Sequence, residues 1–176
     1  MKTDMKRFIA IVLLAAFAAG IGSPESKAAG RKVNSGDMAS LVREYNLYQG
    51  FDVVSVGGLG LGLVKMIAKA SAENEEDRMA LEVIDGLRKI IVVDYMAAEQ
   101  DRKDSFSRKA AGLLKNAEKI IEVKEDGETV NVYGTAASDG ERIDDLIVFI
   151  PEECTLICLF GSISADKIAD IVEMEM

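Results

Sequence analysis

The sequence has no histidine and no tryptophan, and only two cysteines and two prolines in 176 residues. Without histidine there is no His-dependent catalytic triad, no imidazole metal site and no histidine pH switch. Two cysteines cannot form a thiolate zinc site or a disulfide scaffold. What remains is 49% hydrophobic and 29% charged, with 15 glycines. That length and apolar share suit one domain with a sizeable buried core.

The N-terminus has the pattern of an export signal. Lys2, Lys6 and Arg7 precede an apolar run from Phe8 to Ile21, which Ser23-Pro24 ends. Fourteen residues are short for a bilayer span. Small residues around Ser26-Lys27-Ala28-Ala29 offer a cleavage site after Ala28 or Ala29, and an uncleaved anchor is the other reading. No cysteine follows the run, so no lipoprotein anchor is available there. The expected organisation is a signal peptide over 1–28, a short flexible stretch over 29–36, and a single domain over 37–176. The mature protein is expected to be soluble, in the periplasm or outside the cell, with no membrane span after cleavage.

Residues 1–28 carry four cations against Asp4 and Glu25, so their removal takes the net charge from −9 to −11. A surface this acidic repels phosphate backbones and anionic lipid, which argues against nucleic acid as a partner. It suits a cationic partner or calcium, although acidity also keeps exported domains soluble.

Hydrophobic spacing predicts a first helix over 37–48. Asp37 would be its cap, Met38, Leu41, Val42, Tyr45 and Tyr48 its buried face, and Gly50 its stop. A short β run over 51–56 precedes helical patterns at 61–72 and from Asn74, whose stripe is Ala80, Val83, Ile84 and Leu87. A strand over 89–95 and a helix over 101–117 follow, the helix burying Phe106, Ala110, Leu113, Leu114 and Ala117. Asp126-Gly127 marks a hairpin between strands at 119–124 and 129–133. Two more strands span 143–150 and 154–160, joined by a turn at Pro151-Glu152-Glu153. Both are apolar at consecutive positions, where a strand wetted on one face would alternate. They are therefore expected to be central and covered on both faces, by helices or a second subunit. A closing helix is expected after Ser164 as its cap, with Ile163 stapled to Ile168. The fold class is α+β: a mostly antiparallel sheet ending in a four-strand meander, with helices packed on it.

Several stretches resemble a known family. They are Gly50 through Lys65 (GFDVVSVGGLGLGLVK), KIIVVDY at 89–95, EVKEDGETVNVYG at 122–134 and LICLFGSISADKIADI at 156–171. In this order they resemble the bacterial family called domain of unknown function 4252. The resemblance implies a small exported α+β domain of the Bacteroidota envelope type. It implies no catalytic residues.

Chemistry-bearing motifs are few. Gly57, Gly58, Gly60 and Gly62 form the one candidate ligand loop, placed after a strand and before a helix. Its spacing fails G-x-G-x-x-G and lacks a terminal Gly-Lys-Ser/Thr. A tight turn or close packing is the plainer role, which predicts that Gly60→Ala destabilises the fold. Ser164-Ala-Asp-Lys167 matches S-x-x-K, but the accompanying motifs are missing and Ser164 is wanted as a cap. Cys154 and Cys158, on one strand, would lie ~13 Å apart, beyond disulfide reach, as small core residues. A redox pair or intermolecular bridge is the sharper alternative for them. Glu73, Glu75, Glu76 and Asp77, with Asp144-Asp145 and Glu152-Glu153, are expected as solvated surface, since neighbours point apart. No D-x-D-x-D-G calcium loop is present. No catalytic residue, metal site or cofactor is expected.

The leading expectation is a non-catalytic exported domain that binds an envelope protein or peptide. One alternative is a carboxylate-based hydrolase or small-ligand binder near Gly57–Gly62. Another is a structural component of an envelope assembly, with the apolar sheet face buried in a homodimer.

Overall fold

The computed structural model describes residues 34–63, 66, 85–125, 128–137 and 141–164. The export segment and the patterns from 67 to 84 and beyond 164 lie outside them. In chain order the elements are α1 (Ser35–Tyr45), β1 (Asp52–Gly57), β2 (Leu87–Asp94), α2 (Gln100–Leu114), β3 (Lys119–Glu125), β4 (Glu128–Ala136), β5 (Arg142–Ile150) and β6 (Thr155–Ser164). The strands form one antiparallel sheet in the order β1-β2-β6-β5-β4-β3. The α+β class and the closing four-strand meander, β3 to β6, are thus present. β6 and β5 occupy the third and fourth places, the central positions that their unbroken apolar runs required. By the alternation of directions β2 and β3 run the same way, and α2 makes the crossover between them.

Element boundaries shift where local chemistry differs from the spacing argument. α1 starts two residues early because Asn34, not Asp37, is its cap: Asn34 Oδ1 accepts from the N–H groups of Gly36 (3.0 Å) and Asp37 (3.4 Å). α1 ends at Tyr45, so Tyr48 leaves the buried stripe and stands beside the Arg102 guanidinium, 4.1 Å from its ring centroid. α2 ends at Leu114, with Leu113 turned outward and Leu114 buried. Cys154 sits in the turn before β6, at φ 52°, not in the strand. β6 runs on through Ser164, and Ile163 is buried within it; the helix expected to follow, with Ile168, lies outside the described residues. The residues flanking 126–127 pair as Glu125↔Glu128, the register of a two-residue hairpin.

The sheet buries two apolar faces. On the first, α1 and α2 cover Ile91, Val93, Ile147, Phe149, Leu156, Cys158 and Phe160. Tyr45, Phe51, Tyr95 and Phe106 form an aromatic centre there, with Phe106 ring centroids 4.8–5.4 Å from the other three. The two tyrosine hydroxyls meet α2, Tyr45 with Ser105 Oγ at 2.8 Å and Tyr95 with Ser107 Oγ at 2.9 Å. Both hydroxyls are thereby satisfied where desolvation would otherwise be costly. On the second face Leu87, Val132, Leu146, Val148, Ile150, Ile157 and Ile163 are buried with Leu61, which comes from a short helical turn over 59–63.

Four of the five strand pairings change register, and the shifts lie side by side across the sheet: at Leu87/Lys89, Asp144/Leu146, Tyr133/Thr135 and Lys119/Ile121. Such bulges bend and twist a sheet. Asp145 lies on this line at φ 51° with 3% of its surface exposed. Its Oδ1 accepts from the Gly161 N–H at 3.0 Å and stands 3.7 Å from Arg88. The expectation of a solvated Asp145 is corrected: the bulge turns the carboxylate into the sheet, where it caps a backbone donor that the ladder leaves over. Aspartate also tolerates positive φ better than most residues.

Burial of Tyr95 carries a pH consequence. Desolvation raises its phenol from the usual 10.0 to about 12, against a lowering contribution from Ser107. The fully buried Cys158 thiol is pushed up for the same reason. In the unfolded chain Tyr95 ionises first, so the stability it gives is complete below pH 10 and is lost as pH rises towards 12. Between pH 9 and 11 the wild type should lose ~1 kcal/mol more than Tyr95→Phe, since a tenfold change in an ionisation constant is worth about 1.4 kcal/mol. Urea midpoints at the two pH values measure this. Equal slopes for the two proteins would show that Tyr95 is not the alkaline sensor.

Candidate functional site

The candidate site is assembled from β1 and the glycine-rich segment after it. β1 is an edge strand, and its sequence DVVSVG carries one charge in six residues. The opposite edge, β3, is KIIEVKE, with four charges in seven. Charges on an edge discourage pairing with another chain, so β3 is protected by its composition and β1 is not. The β1–β2 register is continuous from Asp52↔Asp94 to Gly57↔Lys89, without a bulge to twist the edge away.

Register also shows where the second-face apolar rows go. Val132, Val148, Ile157 and Val92 lie opposite one another across four strands, and Val54 on β1 ends the row. A second row runs from Leu146 through Leu159 and Ile90 to Val56. The first row is buried from Val132 to Ile157, the second is buried at Leu146 and half-buried from Leu159 onward, and both reach an edge where Val54 is 49% exposed. Among the described residues nine large hydrophobics are exposed, and six of them (Leu47, Tyr48, Val54, Leu59, Leu63, Met66) lie between 47 and 66. Of these, Val54 lies on β1 and Leu59 and Leu63 follow it directly, so among the described residues the edge and the turn after it present exposed apolar side chains, the signature of an interaction site.

The four glycines of the sequence motif lie at one end of this edge. Gly57 closes β1, and Gly58 makes the turn at φ 53°. Gly60 and Gly62 fall in the helical turn, and the Gly62 N–H is bonded to the Gly58 carbonyl at 3.2 Å. Leu61 points into the second core while Leu59 and Leu63 are exposed, so the loop displays leucine to its surroundings. The expectation for Gly60 changes accordingly. A Cβ there would lie 3.7 Å from Val56 Cγ1, an ordinary contact, whereas at Gly58 any side chain is strained by φ. Gly60→Ala is expected to be neutral or stabilising by up to ~1 kcal/mol, and Gly58→Ala to cost about 1–2 kcal/mol. Thermal melting of the two variants decides this; equal losses would mean the turn is elsewhere.

The edge is electrostatically polar along its length. Asp52 lies directly opposite Asp94 at one end, and like charges placed so are unfavourable. At the other end Gly57 lies opposite Lys89 and close to the Arg88 backbone; the Arg88 side chain is 75% exposed.

Elsewhere among the described residues, both cysteines and two of the lysines are occupied structurally. Cys154 and Cys158 are free thiols buried in the first-face core, and burial raises both above the usual range. Raised thiols are poor nucleophiles. Lys109 is held up by its bond to Glu44, and Lys119 by its bond to Glu122. Ser164 ends β6, and Lys167 of the S-x-x-K match lies outside the described residues. Among the described residues no three acidic or cysteine groups gather in a way that could hold a metal ion, and no helix is long and apolar enough to cross a membrane.

Sequence reasoning finds the glycine motif but not the edge. The signal is present in Leu59, Leu63 and Met66, spaced as one helical face, and in the low charge of residues 52–57 beside the charged run at 119–125. Strand order is what turns that contrast into an exposed site, and order is not written in a single strand.

No curated protein and no solved structure matches the chain. A sequence family described as a domain of unknown function, DUF4252, matches residues 45–171, which takes in every strand of the sheet. The chain belongs to this DUF4252 family.

Proposed function

We propose that this chain is an exported, non-catalytic interaction domain of the cell envelope that takes a partner's extended segment onto the open edge of β1. The observation that carries the reading is the arrival of two apolar core rows at an exposed, nearly uncharged edge strand. An added strand would satisfy the outward backbone groups of β1 and continue the Val54 and Val56 rows, the mode of recognition called β-augmentation. Leu59, Leu63 and Met66 would flank the added strand with further apolar area. Export is supported by the basic and apolar pattern of residues 2–21 and the small residues after it.

The test is site-specific photo-crosslinking in intact source cells. A crosslinker at Val54 or Leu63 should trap a discrete adduct that one at Leu113, exposed on α2, does not. Adducts of equal yield from all three positions would reject the edge as the site.

A further inference from the structure

We infer that the strand received by β1 is β1 of a second copy of this chain, paired antiparallel about a two-fold axis. This inference rests on the edge reading above and names its partner. Residues directly opposite in an antiparallel pair share a face of the sheet, and faces alternate along each strand. Two identical strands can therefore pair only in registers whose residue numbers sum to an even value. A register centred on Val54 would set Asp52 against the partner subunit's Val56, placing a carboxylate on an apolar row. A register centred on Ser55 sets Val54 against the partner subunit's Val56, and Asp52 beyond the strand end against the partner subunit's Gly58. The second is the one the chemistry favours.

Charge supports a second copy over an unrelated strand. Antiparallel pairing brings the Asp52/Asp94 end of each edge to the Arg88 end of the other, twice by symmetry, whereas Lys89, opposite Gly57, lies on the face away from Asp52. The like-charged Asp52–Asp94 pair, unfavourable within one chain, then gains the partner subunit's Arg88, whose side chain is 75% exposed. The rows that end at Val54 and Val56 would continue into the partner's sheet, giving twelve continuous strands from two copies of six.

Sedimentation equilibrium of the mature protein is the test. The wild type should reach twice the monomer mass, and Val54→Lys should weaken association at least tenfold while keeping its circular dichroism. Ser55→Cys should form a symmetric disulfide dimer under mild oxidation, since the native thiols are buried. Asp52→Lys separates local from global electrostatics. It lowers the net negative charge, so general repulsion predicts tighter association, whereas end-to-end complementarity predicts at least tenfold weaker association. A wild type that stays monomeric up to millimolar concentration overturns the second copy. It leaves the edge reading to the cell crosslinks, where an adduct of a different mass would identify a foreign strand. A dimer that persists in folded Val54→Lys and does not form the Ser55→Cys disulfide overturns the inference and shows that the dimer uses another surface. Should Val54→Lys fail to fold, the Ser55→Cys disulfide and the Asp52→Lys shift still decide.

Discussion

Gly86→Ala is expected to prevent folding, with a loss above ~4 kcal/mol, the range reserved for severe steric or burial defects. A Cβ at Gly86 would stand 1.8 Å from the Ser162 carbonyl oxygen and 3.0 Å from its carbon. These are backbone atoms, and the Ser162 N–H is itself bonded to the Gly86 carbonyl at 3.1 Å, so relief by moving β6 breaks the bond that brings the segments together. Gly161→Ala should behave alike. Its φ is +139°, and a Cβ would stand 2.4 Å from the Gly86 carbonyl oxygen and 2.8 Å from Leu87 Cα. Gly112→Ala is the matching control. Nothing lies within 4 Å of its Cβ position on α2, so it should stabilise by about 0.5–1 kcal/mol. Thermal unfolding of the three proteins measures the contrast. A Gly86→Ala protein melting within a few degrees of wild type would show that the β2–β6 contact is looser than described.

Much of this fold is legible in the sequence because its strands declare their depth. The unbroken apolar runs of residues 146–150 and 155–160 can only be satisfied between two covered faces, and they form the central pair. α1 and α2 are marked by apolar residues three and four apart, and their buried residues Met38, Leu41, Val42, Tyr45, Phe106, Ala110 and Leu114 are among those the spacing selects, which also picks Tyr48 and Leu113, both exposed, and the half-buried Ala117. Three features are not legible. The cap moves from Asp37 to Asn34 because both residue types cap well and only backbone geometry chooses between them. Asp145 reads as surface because a bulge, an accident of pairing between distant strands, decides which way it turns. The edge character of β1 depends on the other five strands occupying their places first. The candidate site is therefore half visible: its glycines and leucines stand in the sequence, and its exposure comes from topology.

Phe106→Ala should cost about 3–5 kcal/mol, a large share of the ~5–15 kcal/mol that holds a domain of this kind together. Phe106 is fully buried where α2 meets the sheet, with ring centroids 5.1 Å from Tyr45, 5.4 Å from Phe51 and 4.8 Å from Tyr95. Its removal leaves a cavity facing three rings, each of which loses an edge or tilted contact worth about 0.5–1.5 kcal/mol beyond area. Phe106→Leu keeps most of the volume and should cost less than half as much. Urea denaturation separates the two variants through the midpoint at constant slope. The same pair bears on function, because the aromatic centre lies on the first face and the rows reaching Val54 and Val56 lie on the second. If the interaction edge depends on the second face alone, Phe106→Ala lowers the midpoint while the association constant of its folded fraction stays within about threefold of wild type. A drop in association matching the drop in stability would mean instead that the helix layer sets the twist of β1 through Phe51, the residue entering that strand. The edge would then be a property of both faces.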